Sequence, residues 1–123
     1  MQIAYPVIAI VLAAVVALSG IGKIRCDPYQ IQVIHETIGV PLQYFPFLAA
    51  CEFAGALGLL LGIWWPILGM AGAVGLLLYF VGAIASHVYV SDIKGIGPAA
   101  FLLVVAAAAL ATRILADKAV FIP

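Results

Sequence analysis

FLAACEFAGALGLLLGIWWPILGMAGAVGLLLYFVGAIASH, residues 47–87, contains one formal charge, Glu52. From Phe53 to Ser86 there is no charged side chain. A bilayer-spanning helix needs about 20 predominantly apolar residues, so this run is long enough for two. Trp64-Trp65-Pro66 divides it. Tryptophan suits the membrane interface, and proline suits the first turn of a helix. The stretch therefore predicts a tight hairpin of two spans, about residues 44–63 and 67–86. Its one anomaly is a carboxylate inside the second span of the chain.

The same pattern continues outward. Residues 3–22 are apolar up to Lys23 and predict a first span. Residues 97–115 predict a fourth, with Arg113 snorkelling its guanidinium to the surface. The first segment lacks the basic leader of a secretory signal and is longer than a typical signal core, so it is read as a retained span. The fold class expected is all-α: a single four-helix integral membrane bundle, residues 1–123, with spans at about 3–22, 44–63, 67–86 and 97–115.

Composition excludes much else. Of 123 residues, 67% are hydrophobic and 8% are charged. The mean hydropathy is +1.31. That leaves too little polar surface for a water-soluble domain. Five basic and five acidic residues cancel, leaving no basic patch for nucleic acid. Cys26 and Cys51 can make at most one bridge and belong to no CxxC motif. No metal-ligand spacing, phosphate loop or dinucleotide fingerprint is present, so no cofactor of its own and no metal is expected.

Cys26 to Gln43 is the longest polar segment. Asp27-Pro28 has the form of a helix start, and Ile31, Ile34 and Ile38 recur at helical spacing before Gly39 and Pro41. This predicts a short amphipathic helix in the first loop, lying on the membrane or over the bundle. Gly55, Gly58 and Gly62 share one face of the second span, and Gly72 and Gly75 recur on the third. Such small residues allow close helix approach.

Four antiparallel spans put the first and third loops on one side of the membrane. Lys23, Arg25, Asp27, His35, Glu36, His87, Asp92 and Lys94 gather there. Arg113, Asp117 and Lys118 belong to the opposite side. Glu52 lies seven residues after Phe45, roughly 10 Å along the helix from the crowded end. A bare carboxylate at that depth is costly, so it must be protonated, paired or facing a wet cavity. Lys23 at the end of the first span and His87 at the end of the third are its candidate partners. The expected intramembrane polar cluster is Lys23, Glu52 and His87, with Ser19, Tyr89 and Asp92 as outer members. The plain alternative is a buried Lys23–Glu52 pair that only fixes packing.

These residues carry a family resemblance. Ser19-Gly20-Ile21-Gly22-Lys23, Gly39-Val40-Pro41, Cys51-Glu52-Phe53-Ala54-Gly55, Gly82-Ala83-Ile84-Ala85-Ser86-His87, Asp92 and Pro98 stand in an order and spacing that resemble the DoxX-like family of small four-helix membrane proteins. Ser86 is a mild departure from the family pattern before its histidine. The resemblance implies a bacterial plasma membrane location and carries the family pattern onto Lys23, Glu52, His87 and Asp92. Some members resemble a membrane subunit of thiosulfate:quinone oxidoreductase or partners of thiol- and superoxide-handling proteins. The chain is thus expected to be an accessory or anchoring, non-catalytic subunit of a larger membrane oxidoreductase. Alternatives are a site for quinone or another small lipid-soluble ligand built on Glu52, Lys23 and His87, and a structural or assembly protein. Expected partners are the lipid bilayer, other membrane subunits or further copies of the chain. Both termini are expected in the cytoplasm.

Overall fold

The computed structural model describes the backbone of residues 3–121 and the side chains of residues 3–116. Asp117 and Lys118 of the expected tail charges fall outside the described side chains. Within these bounds the chain is all helical. The long helices are α1 (Ala4–Arg25), α3 (Phe45–Leu61), α4 (Pro66–Tyr89) and α5 (Gly97–Phe121). A short α2 (Pro28–Gln30) occupies the first loop and continues as a π-helix, Ile31–Ile38. The four long helices meet the length and composition of membrane spans. Prolines 28, 46 and 66 each sit in the first turn of a helix, where the missing N–H costs nothing.

Three spans run longer than the sequence pattern suggested, α5 reaching Phe121. α1 continues to Arg25 because Cys26 takes a left-handed conformation, φ 53°, and its N–H returns to the Gly22 and Lys23 carbonyls. That is the C-terminal cap geometry usually given to glycine. α4 continues to Tyr89, so His87 lies within its last turn. Ser91 then turns left-handed, φ 59°, and the Asp92 N–H bonds back to the His87 carbonyl at 2.8 Å.

The helices pack in the cyclic order α1, α3, α4, α5, each against its two neighbours, as short antiparallel connections require. The buried stripes follow three- and four-residue steps: Tyr5, Ala9, Leu12, Val16 and Lys23 on α1; Phe45, Ala49, Glu52, Ala56 and Leu59 on α3; Gly69, Ala73, Leu76, Phe80 and His87 on α4; Ala106, Ala109, Arg113 and Ala116 on α5. The outward faces carry Val7, Ile10, Leu18, Leu57, Leu78, Phe101 and Val104, suited to lipid.

α3 and α4 touch along a glycine track. A Cβ on Gly72 would lie 2.9 Å from Leu59 N and 3.0 Å from Gly55 O. A Cβ on Gly58 would lie 3.0 Å from the Gly72 Cα, and one on Gly62 would collide with the Gly69 backbone. Gly55 receives the Leu76 side chain. Gly75 differs from the expectation set for it: a Cβ there meets nothing, because its face turns away from the crossing.

Arg113 also departs from its expected behaviour. It does not snorkel; it is buried on the core stripe of α5. Its Nη1 donates to the Gly62 carbonyl at 2.6 Å, and its guanidinium lies 4.8 Å from the centre of the Tyr5 ring. The Tyr5 hydroxyl donates to the Leu59 carbonyl at 2.7 Å. The carbonyls at the C-terminal end of α3 lack helical partners and carry the negative end of its dipole, so a buried cation finds its complement there.

The contrast between two glycines three residues apart tests this crossing. Gly72→Ala should lose about 1–3 kcal/mol by overpacking. Gly75→Ala should be neutral or gain up to about 1 kcal/mol from helix propensity. Unfolding midpoints in mixed detergent–SDS micelles measure both, and equal losses would contradict the packing described.

Candidate functional site

Each polar group inside the bundle occupies a position where an apolar core residue would stand one heptad away. Lys23 follows Val16 by seven, Glu52 follows Phe45 and precedes Leu59 by seven, and His87 follows Phe80 by seven. Helical geometry therefore aims all three side chains inward. Lys23 Nζ reaches Glu52 Oε1 at 2.6 Å, and both side chains are at least 95% buried. Lys23 Nζ also donates to Ser19 Oγ at 2.8 Å, and Ser19 Oγ donates a long bond, 3.4 Å, to Glu52 Oε1. Lysine, serine and carboxylate close a small triangle between α1 and α3. The ammonium neutralises the carboxylate and the hydroxyl takes up part of the remaining hydrogen-bonding capacity, which is the condition for holding a charge pair away from water.

His87 does not join this triangle. Its Nδ1 bonds Asp92 Oδ2 at 2.8 Å. The left-handed turn at Ser91 brings the carboxylate back over the end of α4. Gly95 makes this pair possible, because a Cβ there would collide with the Asp92 carboxylate and lie 2.9 Å from His87 Nδ1. Tyr89, expected as an outer member, is 89% exposed and projects away from the interior. Two residues from His87, it lies about 200° round the helix.

The Lys23–Glu52 pair and His87 line one half-open cavity of about 460 Å³. Its polar lining includes Ser19, Lys23, Glu52 and His87; its apolar lining includes Leu48, Phe80 and Leu102. The first-loop helix covers part of it with Gln30, Val33, Ile34 and Ile38. The sequence pattern placed Ile31, Ile34 and Ile38 on one face. In the structure Ile34 and Ile38 line the cavity together with Gln30 and Val33, Ile31 is outside the lining, and the segment is wound as a π-helix. The wider winding is visible in the bonds from the Gly39 N–H and the Thr37 hydroxyl, each to a carbonyl five residues earlier. His35 Nδ1–H donates to the Val40 carbonyl at 2.9 Å and ties off its end.

Three contributors were not singled out from the sequence. Tyr79 lines the cavity with its phenol beside Glu52. Gln30 Nε2 lies 3.4 Å from Ser19 Oγ, linking the covering helix to the triangle. Gly95 leaves room for the histidine–aspartate pair. The only advance signal was for Tyr79, a phenol in mid-span one heptad before Ser86. Cys26 and Cys51 are unbridged. Cys51 sits in a separate outward groove with Ala54, Gly58, Ala71 and Gly75. Among the described residues no group of three histidines, cysteines or carboxylates is placed to hold a metal.

The chemistry on offer is hydrogen bonding, charge stabilisation and proton exchange inside an apolar hole. Comparison with known proteins agrees with the architecture: residues 7–109 match the DoxX-like family, and the chain belongs to it. No curated protein and no solved structure matches the chain.

Removing half of the ion pair should cost more than removing all of it. Lys23→Met strands a buried carboxylate and should lose about 3–5 kcal/mol. Adding Glu52→Gln to Lys23→Met should recover most of that loss. SDS-unfolding free energies for the two variants check this; a double variant as unstable as the single would contradict the pairing.

Proposed function

We propose that this DoxX-like membrane protein binds a small lipid-soluble molecule with a polar head, quinone or quinol in size and character, in the cavity between its helices. The observation that carries this reading is the cavity itself. At about 460 Å³ it falls within the ~300–1,000 Å³ usual for small-molecule sites. Its walls are mainly apolar, with a few polar groups converging on one region. A buried ion pair serving packing alone needs no such space, and close packing is the rule elsewhere along α3 and α4.

The physical division of labour follows from the lining. Leu48, Phe80, Ile34 and Ile38 contact an apolar ring or tail. Lys23, Tyr79 and His87 stand where they can hydrogen-bond a polar head, and Glu52 holds Lys23 in place. The covering helix limits water at the mouth, which strengthens each of these bonds.

A second reading, an accessory or anchoring subunit of a membrane oxidoreductase, is favoured by one feature. The outer face of the α3–α4 crossing carries a groove of about 440 Å³ lined by small residues. Small residues let a further helix approach closely. The two readings are compatible, since a subunit that holds a quinone can dock beside one that reacts with it.

The test uses the full chain in nanodiscs and a decyl-benzoquinone, offered in oxidised and reduced forms, with binding followed by equilibrium dialysis. At least one form should bind. Glu52→Gln and His87→Ala should each weaken that binding by roughly tenfold, while the far-side change Gly75→Ala leaves it intact. Unchanged affinity in both site variants, with helical content preserved, would contradict the reading.

A further inference from the structure

Asp92 determines what His87 can offer to the cavity. A carboxylate has only acceptor atoms, so the 2.8 Å contact requires that His87 Nδ1 carry the hydrogen. In the neutral imidazole that leaves Nε2 without one. His87 Nε2 makes no hydrogen bond with any described residue, and it is not a sealed, fully buried atom. The ring lines the cavity. With the ring neutral, the one unengaged nitrogen of the histidine is therefore an acceptor, on a side chain that lines the ligand space.

The rest of the lining supplies the complementary donor. Lys23 has three N–H groups, of which Glu52 and Ser19 take two. The Ser86 hydroxyl is committed to the Gly82 carbonyl. A ligand hydroxyl answers both sides, donating to His87 Nε2 and accepting from the lysine side. A carbonyl or ether oxygen only accepts. It would leave Nε2 facing an apolar ligand with its water displaced, an unmade hydrogen bond that costs far more than a made one returns. A site built to read a hydroxyl rejects the analogue that lacks it.

The geometry points to a hydroxyl-bearing ligand: the cavity takes a phenol, hydroquinone or similar alcohol in preference to the carbonyl or ether of the same shape. This rests on the cavity being a ligand site. Asp92 is then a positioning residue. It touches no ligand but fixes the tautomer and angle of His87, and Gly95 provides the space in which it does so.

The test pairs 4-nonylphenol with 4-nonylanisole, its methyl ether, on the full chain in nanodiscs. The phenol should bind at least about tenfold more tightly. In Asp92→Ala the ring is free to take the other tautomer, and the ratio should fall toward one; Asp92→Glu should restore part of it. Nitrogen-15 spectra of the unliganded wild type give a readout independent of any variant's folding. The histidine signal missing from His87→Gln should show a protonated Nδ1 and an unprotonated Nε2. Equal binding of phenol and ether would overturn the hydroxyl preference and leave the cavity reading standing. Failure of both compounds to bind would overturn both. A proton on Nε2 of unliganded His87, in the neutral or the cationic ring, would overturn the preference whatever the affinities.

Discussion

A carboxylate buried about two turns inside an apolar helix is the constraint on which the rest of this bundle depends. Glu52 cannot stay ionised in hydrocarbon without a partner. Lys23 meets it at 2.6 Å, and that contact requires α1 to remain helical past residue 22, as the left-handed cap at Cys26 allows. Ser19 closes the triangle, and Gln30 ties it to the helix that crosses the first loop. The polar groups are then fixed in angle, and the space beside them remains a cavity rather than collapsed core. On the proposed reading, a packing role for the pair and a ligand role for the space are linked, since the first would make the second possible.

The two ends of the molecule are built differently. At the Trp64–Trp65 turn, glycine meets glycine, and Arg113 closes over the end of α3 with Tyr5 against its face. At the other end the first-loop helix is π-wound, Gly39 is left-handed, and the walls stand apart. Tight packing at one end anchors the bundle while the other retains the open volume a ligand needs. Such a partition is expected where stability and function make opposite demands on packing.

Much of this was legible in the sequence, because in a membrane bundle charge and hydropathy carry most of the information. Four apolar segments gave four spans, and the side-sharing of loops brought Lys23 and Glu52 together before any coordinates. The seven-residue steps from Val16 to Lys23, Phe45 to Glu52 and Phe80 to His87 explain why. The same step, Ala106 to Arg113, also announced that Arg113 would be buried; the expectation of snorkelling gave more weight to its nearness to the helix end than to its register. What stayed hidden depends on backbone detail. The fold-back of Asp92 onto His87 needs a left-handed Ser91, a conformation that serine does not advertise. The 3.6-residue pattern of residues 31–38 found Ile34 and Ile38 but not the π-winding, nor Gln30 and Val33 beside them in the cavity wall. Tyr79, a phenol in mid-span, does not show which way it faces until its neighbour across the bundle is known.

The most direct measurement is native mass spectrometry of the protein released from its own membrane in mild detergent, alongside a variant in which Ala83, part of the cavity wall, is replaced to fill it (Ala83→Phe). The account predicts a small lipid-soluble molecule bound to the wild type and absent from the filled variant, with the same protein assembly in both. A wild-type spectrum carrying no such mass, or the same mass in equal amount on the filled variant, would contradict the claim that this cavity is a ligand site.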